Sequence, residues 1–136
     1  MRKLIAVVAF AAAAACSLNT ETDPGPLVGN LAGTYNLQTM NGTPLPFSIV
    51  SHDTTVLIDT DVLTVGTTGD WAETVSYRQT VGTDPTTNES LNLVGIWSRS
   101  GNSLNFRTSL GLLYVGTATD TTLLLSDNSF NYVFKR

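Results

Sequence analysis

The chain has 136 residues, one Cys and one His, a length that fits one domain. Only 13 % of residues are charged while 42 % are hydrophobic, a mix too apolar for disorder, and a single Cys excludes an intrachain disulfide framework or a cysteine-built zinc site. The net charge of −4 gives no electrostatic ground for binding nucleic acid, and the 21 Thr residues favour strands.

Residues 1–15 read as an export signal. Arg2 and Lys3 form a positive start, and Leu4 to Ala15 is an unbroken apolar run. A bilayer-spanning helix needs about 20 apolar residues, so this run is too short to span and fits a cleaved signal helix. It ends in Ala13-Ala14-Ala15 directly before Cys16. That junction resembles a bacterial lipobox, which implies that Cys16 becomes the first mature residue and carries the lipid. Ser17 follows it, and a residue other than Asp there implies the outer membrane as destination. Loss of residues 1–15 would leave five basic residues against eleven acidic ones, a net charge of −6. The lipid, and not a basic patch, would then hold the protein at the membrane. Residues 16–30, the lipidated Cys followed by SLNTETDPGPLVGN, read as a flexible tether, because Pro-Gly-Pro breaks helix and removes ladder donors.

Residues 31–136 form the domain. Turn signals recur at Asn41-Gly42, Asp59-Thr60-Asp61, Thr68-Gly69-Asp70, Gly82-Thr83-Asp84-Pro85, Ser100-Gly101-Asn102, Thr119-Asp120 and Asp127-Asn128. Between them lie candidate strands at 34–40, 54–58, 62–67, 71–81, 90–98, 103–108, 112–117, 121–126 and 129–135. Short strands at this spacing predict an all-β fold. Two-residue alternation puts Trp71, Glu73, Val75 and Tyr77 on one face, Leu104 and Phe106 on another, and Phe130, Tyr132 and Phe134 on a third. Short links predict hairpins, and closure removes exposed edges. A small antiparallel up-and-down barrel of eight or nine strands is the first choice, a sandwich the second.

The opening Leu31-Ala32-Gly33-Thr34-Tyr35-Asn36-Leu37, followed by Asn41-Gly42-Thr43-Pro44-Leu45-Pro46, resembles the start of small bacterial envelope lipoproteins with a lipocalin-like domain. Gly95-Ile96-Trp97, the Ser100-Gly101-Asn102 turn and the closing Tyr132-Val133-Phe134-Lys135-Arg136 are similar to the rest of that pattern. The resemblance implies a lipocalin-like barrel in the cell envelope and no particular activity.

Residue chemistry offers little for catalysis. Ser51, His52 and Asp53 are adjacent, so their side chains diverge and cannot relay a proton. Asp59 and Asp61, with Asp53 or Asp70, lack the ordered loop that calcium needs and read as turn formers. Arg78, Arg99 and Arg107 would form a positive patch on the outer wall only if their strands adjoin. Tyr35, Trp71, Tyr77, Trp97, Phe106, Tyr132 and Phe134 are the candidates for barrel core or ligand pocket, because an eight-stranded interior is either filled or holds one small ligand. No catalytic residue, metal or other cofactor is expected. The reading is a lipid-anchored, non-catalytic envelope protein that takes a small apolar ligand or a peptide at the barrel mouth. The alternative is a solid barrel acting on an envelope protein through its outer surface. An enzyme would have to use Glu73 with Arg78 or Tyr77 in a cleft.

Overall fold

The computed structural model describes residues 31–136, and the expected signal, Cys16 and the expected tether lie outside them. Ten strands follow in chain order: β1 (Gly33–Met40), β2 (Thr43–Pro44), β3 (Phe47–Ser51), β4 (Thr54–Val65), β5 (Asp70–Val81), β6 (Thr87–Ser100), β7 (Ser103–Thr108), β8 (Gly111–Ala118), β9 (Thr122–Ser126) and β10 (Asn131–Lys135). No helix occurs among the described residues. All pairings are antiparallel, and from β4 to β10 each strand pairs with its sequence neighbour. Strand β1 closes the circle by pairing with β10 on one side and with β4 on the other. The result is an eight-stranded closed barrel, with β2 and β3 as two outer strands. The all-β barrel expected from the sequence is the observed architecture.

Local chemistry explains the hairpins. Asn41 and Gly42 both have positive φ, 48° and 78°, the geometry that lets a two-residue turn match strand twist. Asp127 holds the β9–β10 turn by accepting the amides of Ser129 and Phe130 on Oδ1, at 2.6 and 2.7 Å. The segments expected at 54–58 and 62–67 differ from what forms. Asp59-Thr60-Asp61 is no turn but a bulge inside the continuous strand β4, with the register shifting between Ile58 and Thr60. One extra residue changes the parity of the inward face. Ile58 is inward before the bulge, and Asp61, Leu63 and Val65 are inward after it. Strand β3 was not among the expected strands. Its Ile49 and Phe47 pack against the core from the β4 edge.

The two ends of the barrel differ. At the end where β1 begins, the solid end, large side chains fill the interior, and a concavity of about 430 Å³ lies beside them, lined by Leu31, Arg99, Leu104 and Ala118. Tyr35, Leu63, Leu104, Phe106, Leu123 and Phe134 are fully buried there. Tyr35 donates its hydroxyl to Leu31 O at 2.9 Å, and the Arg136 guanidinium lies 5.5 Å from its ring centroid. Trp71 pairs across the sheet with Gly95 and donates Nε1 to Ile96 O at 3.0 Å and Arg107 O at 3.2 Å. A side chain at Gly95 has no room: an added Cβ would stand 1.8 Å from Arg107 O and 2.8 Å from Trp71 Nε1. Gly116, between Leu104 and Leu125, is equally closed, with Leu124 O at 2.0 Å from its would-be Cβ. Each glycine thus lets a large neighbour fill the interior.

Two substitutions check this packing by urea denaturation. Gly95→Val is expected to cost about 3 kcal/mol or more, because a backbone carbonyl must move. Phe134→Ala is expected to cost about 3–5 kcal/mol, and the outward Leu124→Ala less than about 0.5 kcal/mol.

Candidate functional site

The interior changes character halfway along the barrel. On β4 and β5 the inward pairs, taken from the solid end, are Val65–Trp71, Leu63–Glu73, Asp61–Val75 and Ile58–Tyr77. Two carboxyl groups therefore project inward at neighbouring levels. Glu73 is 1 % exposed and Asp61 5 %. A hydrogen bond links them, and the Tyr114 hydroxyl, from β8, donates to both Glu73 oxygens at 3.0 Å. Asp61 Oδ1, with almost no accessible surface, receives no hydrogen bond from an N–H or hydroxyl group, the one such buried side-chain polar atom among the described residues.

Above this floor the barrel opens into a cavity of about 230 Å³. Its walls come from Ile49, Ile58, Val75, Leu91 and Leu93. One flank is aromatic: Tyr114 and Tyr132 stand with ring centroids 5.3 Å apart, and Phe130 lies 6.3 Å from Tyr132. At the rim Tyr132 donates to Asp127 Oδ2 at 2.7 Å, so both Asp127 oxygens are engaged. The opening exists because the strands are unequal. Strand β6 pairs with β7 only from Ile96 onward, leaving its first half without a neighbour on that side. Strand β8 likewise meets β9 only from Val115.

Burial governs the electrostatics. Desolvation, then the neighbouring Glu73 charge, pushes Asp61 up to about 8. Desolvation lifts Glu73 to about 7, opposed by the hydrogen bonds from Tyr114 and Asp61. The pair therefore retains proton at neutral pH, and the shared proton is what lets two acids sit in an apolar wall. Burial, helped by the nearby carboxylates, raises Tyr114 and Tyr132 well above the usual phenol range. No Lys, Arg or His lines the cavity among the described residues.

The aromatic candidates divide between the two halves. Tyr35, Trp71, Phe106 and Phe134 belong to the packed end, Tyr77 and Trp97 are half-buried, and Tyr132 lines the cavity. Trp97 donates Nε1 to Gly66 O at 3.2 Å, outside the cavity. Glu73 faces inward as its alternation implies, but its partners are Tyr114 and Asp61, not Arg78 or Tyr77. Arg78 is outside, in a bidentate pair with Asp59 at 2.6–2.8 Å. Arg99 donates to Gly101 O at 2.7 Å; the strands of the three arginines do adjoin, but register sets Arg78 opposite Asn88, far along β6 from Arg99 and from Ile96, the partner of Arg107. His52 sits in an exposed turn at φ 54°, with Ser51 Oγ 3.3 Å from Nδ1. Asp70 is bound to Thr68 at 2.6 Å, and no group of three His, Cys, Asp or Glu side chains is placed to hold a metal among the described residues. Sequence reasoning missed Asp61 and Tyr114 as site residues. The bulge at Ile58–Thr60 hid the first. A second register shift, between Phe106 and Arg107, obscured how β8 faces the interior.

No family model, curated protein or solved structure matches the chain.

The pair makes stability pH-dependent with a definite sign. A carboxyl whose folded pKa is raised contributes most when protonated, so its contribution falls as pH rises from the unfolded value near 4 through about 7–8. Each proton retained by the fold costs about 1.4 kcal/mol per pH unit inside that window. Thermal melts are expected to show Tm falling between about pH 5 and 8. Glu73→Gln and Asp61→Asn should each flatten that slope. The outer carboxylates Asp59 and Asp70, whose pKa values are lowered by hydrogen bonds from Arg78 and Thr68, act only at more acidic pH.

Proposed function

We propose that this is a lipid-anchored, non-catalytic protein of the bacterial cell envelope that binds a small, largely apolar ligand at the open mouth of its barrel. The observation that carries the reading is the half-filled interior: a packed end and a lined cavity of about 230 Å³ in one eight-stranded barrel. Ligand sites are typically concave and apolar with a few polar groups, and this cavity has that make-up at a small size. The buried acids add to the argument. A buried ion or acid pair is seldom the most stabilising choice, and apolar replacements of similar volume are often neutral or better. Their placement at the cavity floor suits recognition more than support. The alternative, a barrel acting on an envelope protein through its outer wall, draws on the outward Val94 and Ile96 of β6, which are 70 % and 65 % exposed.

The chain direction suits an anchored receptor. Leu31 enters at the solid end, while Met40, Phe130 and the cavity lie at the other. A tether attached before Leu31 would leave the mouth pointing away from its attachment point.

A neutral fluorophore of naphthalene size should bind the wild-type chain with enhanced emission. Leu93→Trp, which puts an indole into the cavity, should reduce uptake about tenfold or more while leaving Tm within a few degrees. No uptake by the wild type would refute ligand binding. Anchoring is tested separately. Metabolic fatty-acid labelling should mark the wild type and not Cys16→Ala, and the mature N-terminus should be Cys16.

A further inference from the structure

The first half of β6 is an open sheet edge beside the cavity mouth. Trp97 donates its amide to Gly69 O, on the β5 side, at 2.8 Å. In an antiparallel ladder each residue turns both backbone groups toward one neighbour, and the direction alternates along the strand. Odd-numbered residues of β6 therefore turn N–H and C=O toward β5, and even-numbered residues turn theirs away. From Ile96 to Ser100 the even residues meet β7. Asn88, Ser90, Asn92 and Val94 meet no strand on that side. Their backbone groups form a straight row, because the β5–β6 ladder runs from Gln79–Thr87 to Asp70–Ile96 without a register shift.

Sheets commonly protect such edges with Pro, Lys, a bulge or short length. The two outer strands follow that rule: β2 and β3 are short, and Pro44 and Pro46 precede β3. Residues 87–94 read TNESLNLV, with no Pro, no Lys and no bulge, and Glu89 is their one charge. Exposed apolar side chains sit on the same stretch, Leu91 on the cavity side and Val94 on the outside. A row of N–H and C=O groups at strand spacing is complementary to an extended chain and to nothing smaller. An added strand antiparallel to β6 would also continue an existing ladder, since it lies in line with β7, as if β7 were longer.

Pairing dictates where the side chains of such a strand go. Residues opposite Ser90 and Asn92 exchange hydrogen bonds with them and point outward. Residues opposite Leu91 and Leu93 point inward, toward the cavity that those leucines line. The inward residues have to be apolar, because Asp61, Glu73 and Asp127 surround the cavity and repel an acidic side chain. A second copy of the chain fits this poorly. Its β6 would pair even residues with even residues, which sets its Glu89 on the inner face opposite Leu91, Leu93 or the other Glu89. No basic side chain lines the cavity among the described residues to receive that carboxylate.

We propose that β6 takes an extended segment of a partner protein as an added antiparallel strand along Asn88–Val94, with alternate apolar side chains of that segment entering the cavity mouth. The backbone pairing goes beyond the small-ligand reading and stands without it, and only the choice of inward side chains rests on the cavity being a ligand site.

The probe is the soluble peptide acetyl-Lys-Thr-Val-Thr-Leu-Thr-Val-Thr-Lys-amide, titrated into the full chain with amide hydrogen exchange as the readout. The Ser90 and Asn92 amides should exchange fast in the free chain and slow about tenfold or more on binding. The Leu91 and Leu93 amides, bonded to β5, should change little. Two N-methylated peptides separate backbone pairing from apolar contact. Methyl groups on the Val and Leu amides, which face away from β6, should leave affinity within about threefold, whereas methyl groups on the Thr amides should weaken it about tenfold or more. Ser90→Pro removes an N–H that the barrel does not use, so Tm should stay within a few degrees while peptide affinity falls about tenfold or more. If that variant does not fold, the two methylated peptides still decide. Equal affinity of those two peptides, protection of amides away from the β6 edge, or unchanged binding by folded Ser90→Pro would each overturn the proposal. So would sedimentation showing a dimer whose formation protects Ser90 and Asn92, since a second copy would then hold the edge. Fluorophore uptake without peptide pairing would remove the added strand alone, and peptide pairing without fluorophore uptake would remove the small-ligand reading alone.

Discussion

Strand β4 has to serve two partners along one edge, and the barrel depends on how it does so. Its second half, from Val62 to Val65, pairs with β1 and closes the circle. Its first half, from Thr54 to Ile58, pairs with β3 and lies outside that closure. The bulge between Ile58 and Thr60 stands at the change of partner. A strand that must bend from one neighbour to another needs local twist, and an extra residue supplies it. The same extra residue turns Asp61 inward. Closure of the barrel and the presence of an acid on its inner wall therefore have one structural cause.

The consequences run inward from there. Asp61 comes to rest one level from Glu73, and neither could stay charged in so apolar a wall without a partner. A shared proton and the Tyr114 hydroxyl satisfy most of the pair. Below it, large side chains seat against Gly95 and Gly116, where not even a Cβ could be added. Above it, unequal strand lengths leave room that side chains do not fill. The acid pair thus marks the boundary between a part of the interior that side chains fill and a part that they leave open.

That division separates the two halves in what substitutions do. In the packed end, shape is constrained on every side, and a single methyl group at Gly95 meets a carbonyl. At the mouth the walls are held mainly by the hairpins that carry them, including the Asp127 turn that fixes Phe130 and Tyr132. Side chains there can change size with less effect on stability, which is the condition under which a binding surface can be tuned.

The sequence by itself determined the class of structure. Thr-rich alternating segments, Asn-Gly and Ser-Gly-Asn turns and short links leave an antiparallel barrel as the economical arrangement, and the inward face of β5, with Trp71, Glu73, Val75 and Tyr77, is legible from parity alone. The Gly-Thr-Tyr opening likewise places Tyr35 in the packed end. What the tertiary structure decided is which residues converge. Asp61 reads as a turn former because Asp59-Thr60-Asp61 has turn composition, yet pairing with β5 on one side and β1 and β3 on the other holds it in a strand. Tyr114 has no local feature that ties it to Glu73, 41 residues earlier. Parity is counted along one strand, and a bulge resets the count without a sequence mark of its own. The distance between strands, and with it the filled and hollow halves, is set by closure and not by any single segment.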